Sequence, residues 1–276
     1  MRIVWTTDPH LNHVPVLQWD RWIALIESQR PDAILVTGDI SEGDDVVFQL
    51  NRMSEAFRVP LRFVLGNHDF YQSSIAETRR RVIASANNNP LLKYLTFETP
   101  TRLTDGVYLI GEDGWGDATC GDYLRSQVKL NDFVSIEDFI TSDRSNWQSQ
   151  LQQQGKQSAE RLRTQLQQLP ANASDVIVAT HVPPFCEACW YEGHTTDDNW
   201  APFFVCGQVG DQLKQFADDN PKIQLHVLCG HTHHAGIANL AGNLTVFTGA
   251  AVYGQPDVEA VVHVQDGKCD VSLLRS

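Results

Sequence analysis

No stretch of this sequence approaches the roughly 18 consecutive apolar residues that a membrane-spanning helix needs, so no membrane partner is expected. Basic residues are scarce: 21 Lys and Arg stand against 34 Asp and Glu, a formal net charge of −13 over 276 residues. Such a surface repels phosphate backbones, so no extended nucleic-acid binding is expected, although a local metal-lined cleft could act on a phosphate ester. The opening MRIVWTTDPHLNHV has no apolar run of leader length and reads as a strand. The six cysteines (Cys120, Cys186, Cys189, Cys206, Cys229, Cys269) are scattered rather than spaced as a disulfide framework. Reduced thiols in a cytoplasmic protein are therefore expected. Cys186-x-x-Cys189 has no second C-x-x-C at useful spacing and is read as structural. With 42% hydrophobic and 20% charged residues the chain can bury a full core, which excludes disorder as a description of the whole.

What is present is alternation. Short β-branched runs at Arg2–Thr6, Ala33–Thr37, Leu61–Leu65, Val107–Ile110, Val176–Thr180, Leu225–Cys229, Leu244–Thr248, Ala260–Val264 and Val271–Leu274 read as strands. Between the early ones lie helical spacings, such as Val16, Leu17, Ile23 and Ile26, then Val46, Val47, Leu50 and Phe57, then Ile75, Arg79, Val82 and Ile83. Runs such as AILV and VIVA suit sheets buried on both faces. The C-terminal third reads as strands without long helices between them. An α/β sandwich of two sheets flanked by helices is expected. The Gln-rich segment from Trp147 to Leu169 carries one apolar stripe (Leu151, Leu162, Leu166, Leu169) and reads as a solvated amphipathic helix. There is no internal repeat and no domain boundary, so residues 1–276 are expected to form a single domain. Insertions are expected at 112–150 and 183–209, the second read as a long loop over a site.

Chemistry gathers where strands end. IVWTT runs into Asp8-Pro9-His10, AILVT into Gly38-Asp39, and RFVL into Gly66-Asn67-His68-Asp69. VIVAT runs into His181, and HVLC into Gly230-His231-Thr232-His233. The carboxyl ends of strands in an open α/β sheet line a crevice, so these residues should converge there. Asp8, Asp39, Asn67, His10, His181, His231 and His233 are too many ligands for one ion and suit two that share Asp39. Hard oxygen and imidazole donors without thiolate point to Mn, Fe or Zn.

The ordered set D-x-H, G-D, G-N-H-D, H, G-H-x-H over residues 8–233 resembles that of the calcineurin-like metallophosphoesterases. The resemblance implies a four-layer α/β/β/α sandwich of two mixed β-sheets with a binuclear centre at the sheet edge. It implies Asp8, His10, Asp39 and His233 around one ion, and Asp39, Asn67, His181 and His231 around the other. Two divalent or trivalent cations would activate a bridging hydroxide for in-line attack on a phosphoester. No G-x-S-x-G nucleophile element competes with that route. His68 is expected to protonate the leaving oxygen or to stabilise transition-state charge, with Asp69 orienting it. Relatives often carry a further acidic residue after the G-D. Here Glu42, Asp44 and Asp45 make that alignment ambiguous, and none is assigned a role.

In the 183–209 segment Trp190, Tyr191, His194 and Trp200 either stack on a base or aromatic leaving group or pack the loop down. Tyr253 is a similar case, and His234, next to a ligand, is a candidate substrate contact. His13, His226 and His263 are read as surface or strand histidines. The function expected is a phosphodiesterase on nucleotide-like or other small phosphodiesters. The G-N-H-D form, where eukaryotic phosphoprotein phosphatases typically carry G-N-H-E, leans away from the alternative of a phosphomonoesterase or phosphoprotein phosphatase. A non-catalytic scaffold of the same fold is the remaining alternative, disfavoured because every ligand position is competent. The residues leave the oligomeric state open.

Overall fold

A computed structural model describes residues 1–140 and 143–274. The first six-stranded sheet has the order β14-β13-β1-β2-β3-β4, built from β1 (Arg2–Thr6), β2 (Ala33–Thr37), β3 (Leu61–Val64), β4 (Leu92–Tyr94), β13 (Ala260–Gln265) and β14 (Lys268–Leu273). Strands β1 to β4 run parallel, while β13 and β14 are antiparallel additions. The second sheet has the order β11-β12-β10-β7-β6-β5, from β5 (Thr101–Thr104), β6 (Val107–Glu112), β7 (Asp175–Thr180), β10 (Gln224–Cys229), β11 (Gly236–Ala241) and β12 (Leu244–Thr248). Its β12, β10, β7 and β6 are parallel, and each edge strand is antiparallel.

Period-two alternation sorts these strands into layers. Ile3, Trp5, Leu35 and Val64 face Leu109, Ile177, Ala179 and Leu228 between the sheets. The intervening Val4, Ile34, Val36 and Phe63 turn outward beneath α1 (Val16–Ser28), α2 (Asp45–Phe57) and α3 (Ile75–Asn88). On the other side Val176, Val178, Leu225 and Val227 pack under α6 (Arg144–Gln167) and α8 (Gly207–Asp219). The result is the expected four-layer α/β/β/α sandwich of two mixed sheets. Local signals fix the helix starts: Ser74 accepts a hydrogen bond from the Glu77 N–H at the head of α3, and Asp143 accepts from Ser145 and Asn146 before α6.

Two expectations need correction. The C-terminal third does contain a long helix, α8, whose Val209, Leu213, Phe216 and Ala217 fall on one face. The 183–209 segment is not a structureless loop. It holds a small hairpin, β8 (Trp190–Tyr191) with β9 (His194–Thr195), and a one-turn helix, α7 (Ala201–Phe204). Within 112–150, β6 ends at Glu112 and two one-turn helices follow, α4 (Asp132–Ser135) and α5 (Glu137–Ile140). No helix among the described residues is long and apolar enough to cross a membrane.

Candidate metal centre

The carboxyl ends of β1, β2, β3, β7 and β10 meet where the two sheets adjoin, so the crevice is shared by both sheets rather than cut into one. Five of the seven expected ligands leave their strands with positive φ: Asp8 at 47°, His10 at 41°, Asp39 at 49°, His231 at 72° and His233 at 59°. Left-handed backbone at non-glycine residues is uncommon and costs about 1 kcal/mol or more each, so the surroundings must hold these turns in place. Glycines allow the close approach. A Cβ on Gly38 would lie 2.5 Å from His181 Nδ1, and one on Gly230 would overlap the Asp8 carboxylate and the Thr7 hydroxyl.

Two groups of donors share Asp39. His181 Nε2 lies 3.4 Å from Asp39 Oδ1, and His10 Nε2 lies 3.7 Å from Asp39 Oδ2, so the two oxygens face opposite groups. On one side Asp8, His10, Asp39 and His233 each offer an atom within 4.8 Å of the others, with His10 Nε2 3.1 Å from His233 Nε2. On the other, His181 Nε2 lies 3.2 Å from Asn67 Oδ1 and 3.2 Å from His231 Nδ1.

The remaining ring nitrogens fix the tautomers. His181 Nδ1–H donates to the Thr37 carbonyl at 2.9 Å, and His231 Nε2–H donates to the Phe203 carbonyl at 3.3 Å. His181 Nε2 and His231 Nδ1 then carry lone pairs. The Asn67 amide is oriented in the same way, because its nitrogen donates to Asp132 Oδ1 at 2.9 Å and its oxygen is left facing the site. His181 Nε2, His231 Nδ1 and Asn67 Oδ1 thus converge beside Asp39 as acceptors with no hydrogen among the three, an arrangement suited to a cation. His10 Nδ1 is buried without a hydrogen-bond partner. Burial drives the His10 imidazole down to about 2 and His231 well below its usual range, so both are neutral, as ligands must be. Burial opposes charge on Asp8, but the hydrogen bond and charge of His233 help hold its carboxyl well below the usual carboxylate range. Burial and the Asp8 charge push Asp39 well up. Two buried carboxylates driven apart in this way are what cations would relieve.

Beside the centre lies a cavity of about 790 Å³. His68 lines it, stacked on Tyr71 at 4.3 Å and edge-on to His10 at 4.8 Å. The expected Asp69–His68 pair is not there. Asp69 is buried with both oxygens engaged, accepting from the Ser41 and Gly66 backbone N–H groups at 2.9 and 2.8 Å, which ties two ligand loops together. The acid facing His68 is Glu42, whose Oε1 lies 3.7 Å from Nδ1. Trp190, Tyr191, His194, His234 and Tyr253 all line the same cavity, with Tyr253 4.3 Å from the His10 ring. His234 Nδ1 accepts from the Glu192 N–H at 3.3 Å. Sequence reading missed Asp132 and the Phe203 carbonyl, and left Glu42 unassigned beside Asp44 and Asp45. A weak signal for Asp132 and Glu42 was their acidity within polar segments; a backbone carbonyl leaves none.

A family model described as calcineurin-like phosphoesterase matches residues 1–235, a span that holds all seven expected ligands. No curated protein matches the chain. Among solved structures, a phosphopantetheinyl hydrolase from Mycobacterium tuberculosis is similar with a TM-score of 0.65 at 12% identity, covering 93% of this chain and 94% of that one. A dimetal phosphatase from Danio rerio is similar with a TM-score of 0.62 at 12% identity, covering 96% and 92%. At these identities the likenesses speak to the fold. The family match, the four-layer sandwich and the clustered donors agree: the chain belongs to the calcineurin-like phosphoesterase family of metal-dependent hydrolases.

Proposed function

We propose that the chain is a phosphodiesterase that hydrolyses small, singly charged phosphodiesters carrying a flat group, nucleotide-like diesters foremost. The observation that carries this reading is the composition of the cavity. Aromatic rings of Tyr71, Trp190, Tyr191, Trp200, Phe204 and Tyr253 line it, and no Lys or Arg is among its described lining residues. Asp132, Glu192 and Asp197 add negative potential. A second phosphate or a dianionic monoester would find no side-chain cation there, whereas a base or aryl ring would find faces to stack on.

Asp8, His10, Asp39 and His233 would hold one ion, and Asp39, Asn67, His181 and His231 the other, with a donor set suited to Mn, Fe or Zn. When bound, two such ions supply Lewis acidity to the phosphoryl group and make water nucleophilic near neutral pH. Thr37, Phe203 and Asp132 keep His181, His231 and Asn67 turned toward the site. His68 offers an N–H at the cavity wall. Burial and neighbouring imidazoles bring it down to about 4, so it acts as a neutral hydrogen-bond donor to charge developing on the leaving oxygen. Glu42, not Asp69, is the carboxylate beside its ring: Oε1 lies 3.7 Å from His68 Nδ1 and 3.7 Å from His13 Nε2, beyond hydrogen-bond distance from either. Residues 1–276 would act as one unit, with the 183–209 hairpin and one-turn helix walling the cavity, and the scattered cysteines favour a reducing, cytoplasmic setting.

The test is hydrolysis of an aryl phosphodiester beside the matching aryl phosphomonoester, with Mn²⁺ and with chelator. Faster, chelator-sensitive diester cleavage is expected. Faster monoester cleavage would transfer the assignment to a phosphatase.

A further inference from the structure

We infer that Asp175, His226 and Cys269 form a separate site for a zinc-class divalent cation at the end of the sandwich opposite the catalytic centre. Asp175 opens β7, whose other end leads into His181. Six residues of strand at about 3.3 Å each put the two places about 20 Å apart. His226 lies on β10, the neighbour of β7, and Cys269 lies on β14, the edge strand of the other sheet. The trio therefore bridges the two sheets.

Its geometry suits one tetrahedral ion. Asp175 Oδ1 lies 3.5 Å from His226 Nε2 and 3.7 Å from Cys269 Sγ, and the three donor atoms all lie within 4.8 Å of one another. Bond lengths of about 2.0–2.1 Å to nitrogen and oxygen and about 2.3 Å to sulfur give tetrahedral edges of about 3.3–3.6 Å. Asp175 and Cys269 are buried. The Cys269 backbone N–H donates to Asp175 Oδ1 at 3.2 Å, which holds the carboxylate in place. His226 Nε2 is buried and faces Asp175 Oδ1 at 3.5 Å without a well-formed hydrogen bond. A cation bonded to it would satisfy that nitrogen. Three protein donors would leave the fourth tetrahedral position to water. On binding, the Cys269 thiol releases its proton to solvent as the metal–sulfur bond forms, with no change of oxidation state. Carboxylate, imidazole and thiolate together favour Zn²⁺ or Co²⁺ over Mn²⁺. The cation would clip the terminal strand β14 to the core of the second sheet.

The test is titration of chelator-treated full-length protein with Co²⁺, followed by absorption. None of the seven residues at the catalytic centre is a cysteine, so a sulfur-to-cobalt charge-transfer band reports on thiolate ligation elsewhere. The expected result is a band whose saturating intensity corresponds to one thiolate-bound cobalt per chain, is lost in Cys269→Ser and in His226→Ala, and survives in Cys186→Ser. Zn²⁺ should also raise the thermal midpoint of wild type more than that of His226→Ala, a variant at a partly exposed position that keeps the test usable if Cys269→Ser fails to fold. Absence of the band in wild type, or its persistence in Cys269→Ser, would overturn the inference.

Discussion

His181 Nε2 stands 3.2 Å from His231 Nδ1, and the opposite nitrogen of each ring is committed to a backbone carbonyl, Thr37 for one and Phe203 for the other. Two buried lone pairs facing each other are unfavourable unless a cation lies between their ligand directions. Removing metal should therefore destabilise the fold. At Mn²⁺ about 100-fold above Kd, the stabilisation over chelated protein is expected to be about 2.7 kcal/mol. Unfolding midpoints with and without chelator check this, and identical midpoints would count against cation binding.

Asp132 connects the Asn67 amide and the Tyr71 hydroxyl, each at 2.9 Å. Asp132→Ala frees the Asn67 side chain to turn its nitrogen into the site. Metal affinity is expected to fall about 10- to 100-fold, as for other groups that orient a ligand. Activity should recover at high Mn²⁺; a loss that excess Mn²⁺ cannot restore would show that Asp132 acts otherwise.

His68 lines the cavity but is not among the seven proposed ligands. His68→Ala should keep its metal content while kcat drops about 10²- to 10⁴-fold, with the larger loss for diesters with poor leaving groups. An equal loss across leaving groups would contradict a role at the leaving oxygen. Glu42→Gln should give a smaller kcat loss of the same kind, whereas Asp69→Asn should lower the unfolding midpoint, because its oxygens hold the Ser41 and Gly66 backbones.

Tyr253 sits 4.3 Å from His10 at the cavity rim. Tyr253→Ala and Trp190→Ala should raise KM for aryl or nucleoside diesters several-fold while changing KM for a dimethyl analogue little, in line with about 1 kcal/mol for an aromatic contact. Equal effects on both substrates would place these rings in packing rather than recognition.

Much of this was legible in the sequence because the two signals involved are local. Strand alternation such as Ile3, Trp5 against Val4 reports the buried sheets, and the metal-capable residues sit directly after strands, so chain order alone brings Asp8, Asp39, Asn67, His181 and His231 to one end. Contacts made through space were not legible. Asp132 reaches Asn67 across 65 residues from a one-turn helix with no periodicity, and Glu42 could not be separated from Asp44 and Asp45 until the loop geometry placed it 3.7 Å from His68. Adjacency misled at Asp69: it follows His68 in the chain, yet its carboxylate turns back to cap the loops behind it. The start of α8 was hidden because the 183–209 segment reads as one irregular stretch, although Val209, Leu213 and Phe216 begin a helical stripe within and beyond it.

The most direct measurement is a Mn²⁺ titration of chelator-treated protein in the Cys269→Ser background, with bound metal and diester turnover read together, beside the same protein carrying Asp39→Ala. Two equivalents per chain are expected, with turnover rising as the second binds, and Asp39→Ala should lose turnover and at least one equivalent. A single equivalent supporting full activity, or turnover that survives Asp39→Ala, would contradict a two-ion centre bridged by Asp39.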